Sequence, residues 1–230
     1  MKNLFRKIIR KIGYDIKSFD KFHFRAAEIQ RRFSDYTMIP KMIYFDNLSL
    51  VSKIRDIDGV VVECGVWRGG MIAGIAELMP EREYFLFDSF EGLPKAKEID
   101  GQAAQEWQKD ISSPKYYDNC KAEMKFADEV MKQVGVKYEL VRGWFKDTIP
   151  KNNNIKDIAL LRLDADWYDS TIVCLEHLYP RLKTGGLLII DDYFSWDGCS
   201  RAIHDYLSSI KSKSRINRTQ NGVCYILKND

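Results

Sequence analysis

Val60-Val61-Val62-Glu63-Cys64-Gly65-Val66-Trp67-Arg68-Gly69-Gly70 opens with a β-branched run, turns at a glycine and leads into the apolar stretch 71–78, which reads as a helix. Strand, glycine turn and helix in that order start a βα unit, and the chain continues the alternation. Strands are expected at 84–87, 138–141, 158–163 and 186–190, followed by a helix at 201–209. The stretch 215–228 reads as two strands joined near Asn221 and Gly222, an antiparallel hairpin on the sheet edge. The fold class is therefore α/β and Rossmann-like, with a mainly parallel seven-stranded sheet and an antiparallel C-terminal hairpin.

With 230 residues the chain is long enough for one α/β domain and too short for two ordinary enzyme domains. An apolar fraction of 45% and a charged fraction of 30% suit a soluble globular chain, and no apolar run approaches the roughly 20 residues of a membrane-spanning helix. The five cysteines, Cys64, Cys120, Cys174, Cys199 and Cys224, form no CxxC pair, so neither a zinc site nor a disulfide framework is expected. A cytoplasmic location follows, and the amino-terminal stretch lacks the long apolar core of a secretory signal.

Charge is unevenly placed, because Lys2, Arg6, Lys7, Arg10 and Lys11 all precede the first acid, Asp15. Leu4, Phe5, Ile8, Ile9 and Ile12 recur at helical spacing opposite those cations, which predicts an amphipathic helix. The division expected is an amino-terminal helical arm over 1–35 and a catalytic domain over 36–230. The arm suits docking on the core or on a second subunit, or peripheral contact with the anionic inner face of a membrane. Nucleic acid is not an expected partner, since one short basic helix is a small electrostatic footprint.

The turn after the first strand is not the GxGxxG of a dinucleotide fold: Trp67 and Arg68 stand where small residues would admit a pyrophosphate, which argues against a nicotinamide oxidoreductase. Gly65 would let the backbone approach a ligand, and Glu63 supplies a carboxylate beside it. Asp88 ends the second strand at about the spacing where an acid meets a ribose diol, so Gly65 and Asp88 together suggest an adenosine-containing cofactor; a tight turn with a solvated acid is the alternative. Two acidic runs follow later strands, Leu163-Asp164-Ala165-Asp166-Trp167-Tyr168 and Ile190-Asp191-Asp192-Tyr193. Carboxylates gathered at neighbouring strand ends repel unless a cation neutralises them, and an all-oxygen set suits Mg²⁺, Mn²⁺ or Ca²⁺. Helix capping by the same aspartates is the competing reading.

These residues resemble the macrocin O-methyltransferase family (TylF/MycF-like), whose members methylate sugar hydroxyls. The resemblance runs from about Tyr36 to the carboxyl end, on Val62-Glu63-Cys64-Gly65-Val66-Trp67-Arg68-Gly69-Gly70, Phe87-Asp88-Ser89-Phe90-Glu91-Gly92-Leu93-Pro94, Leu163-Asp164-Ala165-Asp166-Trp167-Tyr168-Asp169-Ser170-Thr171, and Gly185-Gly186 through Asp191-Asp192-Tyr193. It implies the class I methyltransferase fold, S-adenosyl-L-methionine, a Mg²⁺ ion with ligands at Asp164, Asp191 and Asp192, and a homo-oligomer. It places Glu63, Gly65 and Trp67 around the methionine part of the cofactor, Asp88 and Ser89 at the ribose, and Gly143-Trp144-Phe145 against the adenine. The Tyr36-Thr37-Met38 segment, with Met38, resembles one that closes over the active site. Trp144 and Phe145 as plain core residues remain the alternative.

A sugar hydroxyl is a poor nucleophile until it loses its proton, and a metal held between two oxygens of a vicinal diol would activate and aim it. Asp164 is the expected base as well as a ligand, with His204 as the alternative base; His23 and His177 lie outside the motifs. Residues 95–118 are polar, broken by Gly101 and Pro114, and long enough to form a lid whose Trp107, Tyr116 and Tyr117 stack on a sugar, or else a solvent-exposed excursion. The acceptor is a glycan, a nucleotide sugar or a glycosylated small molecule. A catechol-type acceptor and a non-catalytic interaction protein retaining the fold are the rival functions.

Overall fold

The computed structural model describes residues 21–230; the amphipathic stretch 1–14 lies outside them. Seven strands form one sheet: β1 (Val60–Cys64), β2 (Glu83–Asp88), β3 (Lys137–Arg142), β4 (Ile158–Leu163), β5 (Leu182–Ile190), β6 (Arg215–Arg218) and β7 (Cys224–Leu227). Their order is β3-β2-β1-β4-β5-β7-β6. The first five run parallel, while β7 pairs antiparallel with both β5 and β6. The hairpin, the parallel order and every expected strand are present, with β5 extending four residues earlier than the apolar pattern suggests.

Helices cover both faces, which is why the central strands read as nearly unbroken apolar runs. One face carries α1 (Lys21–Phe33), α2 (Lys41–Val51), α3 (Gly70–Ala76) and α5 (Met124–Val134), which pack on Val61, Leu160, Leu187 and Ile189. The other carries α6 (Phe145–Thr148), α7 (Tyr168–Leu178) and α8 (Asp197–Ser209) over Val62, Leu161, Leu188 and Ile190. Successive strand residues thus alternate between the two layers, as a pleated strand requires. The segment between β2 and α5 holds α4 (Gln102–Lys109) and a short left-handed helical turn at Tyr117–Cys120.

The described part of the expected arm packs on the domain. Ala26, Ile29 and Phe33 of α1 are buried in the main core, and Arg25 and Arg32 both ion-pair with Glu77 just beyond α3. The residues Phe22, Ala26, Ile29 and Phe33 recur every three or four positions, so α1 lays one apolar stripe on the domain and is an integral part of it. No helix of the described residues is long and apolar enough to cross a membrane.

Strand order reverses between β1, which continues to β2, and β4, which continues to β5. In an open parallel sheet the crevice forms at the carboxyl ends of the strands flanking such a reversal. Here the backbone ladder runs one residue past each strand end: Gly65 N–H donates to Phe87 O, Asp164 N–H to Cys64 O, Asp191 N–H to Leu163 O and Gly143 N–H to Asp88 O. This extension sets Gly65, Asp164 and Asp191 side by side along one edge.

Candidate active site

A cavity of about 990 Å³ opens at that edge. The residues around it include Met38, Glu63, Gly65, Trp67, Asp88, Ser89, Trp144, Phe145, Asp164, Asp191 and Asp192, so most of the residues singled out in the sequence meet here. Gly143 stands in the turn beside Trp144 without lining the cavity. His204 is not brought to it: its Nε2 lies 2.9 Å from the Tyr193 hydroxyl on an exposed part of α8, which removes the geometric basis for a base role.

The floor is organised by Arg162, a charged residue inside the otherwise apolar Ile158-Ala-Leu-Leu-Arg-Leu163 strand. It lies in register with Glu63 on β1, and both side chains are 1% exposed. Its Nη1 donates to Glu63 Oε1 and to Asp164 Oδ2, each at 3.0 Å, its Nη2 ion-pairs with Asp191 Oδ1, and its Nε points at Asn47 Oδ1 on α2. A buried guanidinium demands such partners. One oxygen is left over: Glu63 Oε2 is buried without any hydrogen bond. Burial and the neighbouring carboxylates push the Glu63 carboxyl up to about 8, against the pull of Arg162.

Gly65 is required by space. Its φ is +89°, and a Cβ there would lie 1.8 Å from the Asp164 carbonyl oxygen. Asp88 is held from the other side, Oδ2 accepting from the Val66 and Trp67 amides at 2.8 Å and Oδ1 from Phe90 N–H at 2.6 Å. Those bonds favour the charged form, but burial outweighs them and raises the Asp88 pKa. Ser89 shapes the next turn, its hydroxyl donating to Gly92 O and accepting from Glu91 N–H. The Tyr36-Thr37-Met38 segment is pinned against α3, where a Cβ on Gly70 would meet Tyr36 O at 2.5 Å.

The acidic cluster differs in one member from the set implied by the resemblance. One oxygen each of Asp164, Asp166 and Asp192 can lie within 4.8 Å of one another, while Asp191 turns an oxygen to Arg162. Asp166 takes a left-handed backbone (φ +55°), and its N–H donates to Asp192 Oδ2 at 3.1 Å while its own Oδ1 accepts from Trp196 Nε1. Burial and then mutual repulsion push Asp166 and Asp192 well above the usual carboxylate range. Asp191 rises to about 6 from burial and Asp164, offset by Arg162. Among the described residues, Asp164, Asp166 and Asp192 form a group of acids whose oxygens could hold a hard cation.

Residues of the stretch 95–118 border the cavity. Trp107 packs edge-on or tilted against Trp167 and Trp196 at centroid distances of 6.2 and 5.9 Å. Asp100, 2% exposed, accepts from Lys97 N–H and Tyr168 N–H at 2.7 Å. Trp107 and Tyr117 line the cavity; Tyr116 instead packs behind Trp107. The residues left without a role in the sequence are Arg162, Trp167 and Trp196, while Asp166 stood in an acidic run without being named a ligand. Arg162 carried a signal, since a lone cation in an apolar strand must be paired; the Trp cluster carried none.

The comparisons agree with this geometry. The family model described as macrocin-O-methyltransferase (TylF) matches residues 3–228. The chain is 34% identical over 172 residues to the 8-demethyl-8-(2,3-dimethoxy-alpha-L-rhamnosyl)-tetracenomycin-C 4'-O-methyltransferase of Streptomyces olivaceus, covering 70% of this chain and 64% of that protein. It is 35% identical over 166 residues to the mycinamicin III 3''-O-methyltransferase of Micromonospora griseorubida, covering 67% and 63%. The match thus spans just under two thirds of these relatives' own length. Among solved structures, the O-methyltransferase NovP superposes with a TM-score of 0.71 at 25% identity, over 85% of this chain and 83% of that one. Motifs, sheet order and a match across nearly the whole chain converge: the protein belongs to the macrocin-O-methyltransferase (TylF) family.

Proposed function

We propose that the protein is an S-adenosylmethionine-dependent O-methyltransferase that methylates a sugar hydroxyl, one of a vicinal diol, with the help of Mg²⁺. The observation that carries this reading is the unpartnered, buried Glu63 Oε2 on one side of Gly65, with the Asp164, Asp166 and Asp192 cluster across the same cavity. A buried carboxylate oxygen without a donor fits the ammonium of a methionine moiety. The glycine turn leaves backbone where a side chain would fill the cofactor's space, and three hard oxygen ligands fit Mg²⁺.

When bound, the cofactor supplies an electrophilic methyl group and the cation supplies Lewis-acid polarisation of the acceptor hydroxyl. Glu63 holds the amino end, Asp88 stands at the ribose, and Trp144 with Phe145 offers ring faces to the adenine. Asp164 and Asp192 hold the cation, joined by Asp166 or Asp191, and Asp164 takes the hydroxyl proton as the oxygen attacks. Arg162 fixes the Asp164 carboxylate in place from beneath. The lid, pinned by Trp107 and Asp100, excludes water and aligns the acceptor.

The relatives' names describe O-methylation of tetracenomycin and mycinamicin glycosides, which supports a sugar acceptor. The reading also carries a homo-oligomer in the cytoplasm, with residues 1–14 as a peripheral contact; the five free thiols fit a reducing compartment. Calorimetric titration with S-adenosylhomocysteine and MgCl₂ tests the core of it. Wild type should bind both, Glu63→Gln should lose the first and Asp164→Asn/Asp192→Asn the second. Binding of neither by wild type would favour an interaction protein that keeps only the fold.

A further inference from the structure

The cavity is charged differently at its two ends. Its floor is acidic, while the segment 95–118 places Lys95, Lys97 and Lys115 on its lining together with one acid, Asp100, whose oxygens accept from the Lys97 and Tyr168 amides; Glu98, Glu106, Asp110 and Asp118 do not line it. Lys97 is neutralised by Asp169. Among the described residues Lys95 and Lys115 have no carboxylate partner, so the lid carries two uncompensated cations at the mouth of a site whose floor seeks cations of its own.

These two lysines do not hang from a loose loop. Successive residues of α4 clamp the backbone that bears them. Gln108 accepts from Ala96 N–H at 2.8 Å and donates to Pro94 O at 2.9 Å, gripping the chain on both sides of Lys95. Trp107 Nε1 donates to the carbonyl of Lys115 itself at 3.1 Å. Gln108 also reaches Asn119, which in turn holds Leu93 O at 2.7 Å, closing the base of the lid. Two neighbouring residues of one helix therefore fix the backbone that carries both cations at the cavity rim. Tyr117, 47% exposed, adds a ring at the same rim.

The cations lining the cavity, apart from the buried Arg162, are all lysines. Planar carboxylates favour the arginine fork, whereas a phosphate is well served by lysine point charges. At about 990 Å³ the cavity stands at the top of the roughly 300–1,000 Å³ range of single-ligand sites, room for a cofactor together with an extended acceptor.

Resting on the methyltransferase reading above, we propose that the acceptor is a sugar linked through a phosphate or diphosphate. Lys95 and Lys115 hold the phosphate at the rim while the sugar hydroxyls reach the acidic floor. A neutral glycoside would leave both lysines idle and gain nothing from the polarity of the cavity.

The test is calorimetric titration of the full chain, saturated with S-adenosylhomocysteine in Mg²⁺ buffer, with UDP, with inorganic pyrophosphate, with farnesyl diphosphate and with neutral methyl glucoside. Wild type should bind the phosphorylated probes, and Lys95→Ala/Lys115→Ala should weaken them about tenfold per lysine. Lys95→Arg/Lys115→Arg should restore most of that loss, and Lys151→Ala/Lys156→Ala should change nothing. UDP binding above pyrophosphate identifies a nucleoside-linked sugar, and farnesyl diphosphate above both a lipid-linked one; either supports the proposal. Phosphate probes that do not bind, or that bind equally well to the lysine-free lid through the metal alone, overturn it. Loss of S-adenosylhomocysteine binding by wild type would count against the methyltransferase reading instead, and the lysine dependence would then be read on the unliganded chain.

Discussion

Arg162 Nη1 meets Glu63 Oε1 at 3.0 Å across the β1–β4 pair, with both side chains 1% exposed, and the second oxygen of Glu63 is left without a donor. The protein thus holds one half of a buried carboxylate with its own cation and leaves the other half without a partner. Neighbouring Asp164 and Asp191 draw on the same guanidinium, so three acids share one internal positive charge.

Replacing Glu63 by Gln separates stability from binding. Its pKa in the fold, about 8, exceeds the unfolded value near 4.5, so its contribution to stability is full below that unfolded value and is lost as pH rises through the folded one. Glu63→Gln should raise the melting temperature of the unliganded protein by a few degrees more at pH 8 than at pH 5. S-adenosylhomocysteine affinity should fall at least about tenfold, since a charge-assisted hydrogen bond is lost. An equal shift at both pH values would show that Glu63 is not carried ionised at a cost.

Gly65→Ala forces a methyl group onto the Asp164 carbonyl and keeps φ in the left-handed region. We expect a loss of about 3 kcal/mol or more, equivalent to a fall of roughly 6–12 °C in melting temperature for a domain of this size. A melting curve matching wild type would mean that the β1 turn yields easily.

Arg162→Met removes the shared cation and strands three carboxylates. Urea unfolding should report a loss of about 3–5 kcal/mol, the scale for breaking a buried ion pair from one side. Arg162→Lys, which keeps the charge but not the fork, should fall between wild type and Arg162→Met.

Magnesium should stabilise the chain. At 100 times its dissociation constant an ion adds about 2.7 kcal/mol, or roughly 5–10 °C. The shift should vanish in Asp164→Asn/Asp192→Asn and on adding EDTA. Comparing Asp166→Asn with Asp191→Asn then shows which of these two completes the set.

Asp100 accepts two backbone amides, one within the lid and one at the start of α7. Asp100→Ala should loosen the lid before it affects the sheet. Limited proteolysis within 95–118 should quicken several-fold while the urea midpoint moves little; simultaneous loss of both would make the lid part of the global folding unit.

The order of the strands was legible because each apolar run ends beside a glycine or an acid; of the helices, only those after β1 and β5 were legible. The acids were legible too, since Asp88, Asp164, Asp191 and Asp192 stand at strand ends, where an α/β sheet collects its ligands. The docking surface of α1 was not, because an apolar stripe looks the same whether it packs on the core or on a partner.

Local periodicity and strand-end chemistry, properties of neighbouring residues, by themselves determined the layered α/β fold and the edge of the sheet where the site lies, while the family was carried by the resemblance of four motifs. Only tertiary structure decided that Arg162 binds Glu63, Asp164 and Asp191, that Asp166 joins Asp164 and Asp192, and that His204 stays outside. Each of these depends on side-chain direction between segments far apart in the chain, such as residues 63 and 162 or 100 and 168. That direction is set by strand register and by the packing of Trp107, Trp167 and Trp196, which bring together residues that no local pattern relates.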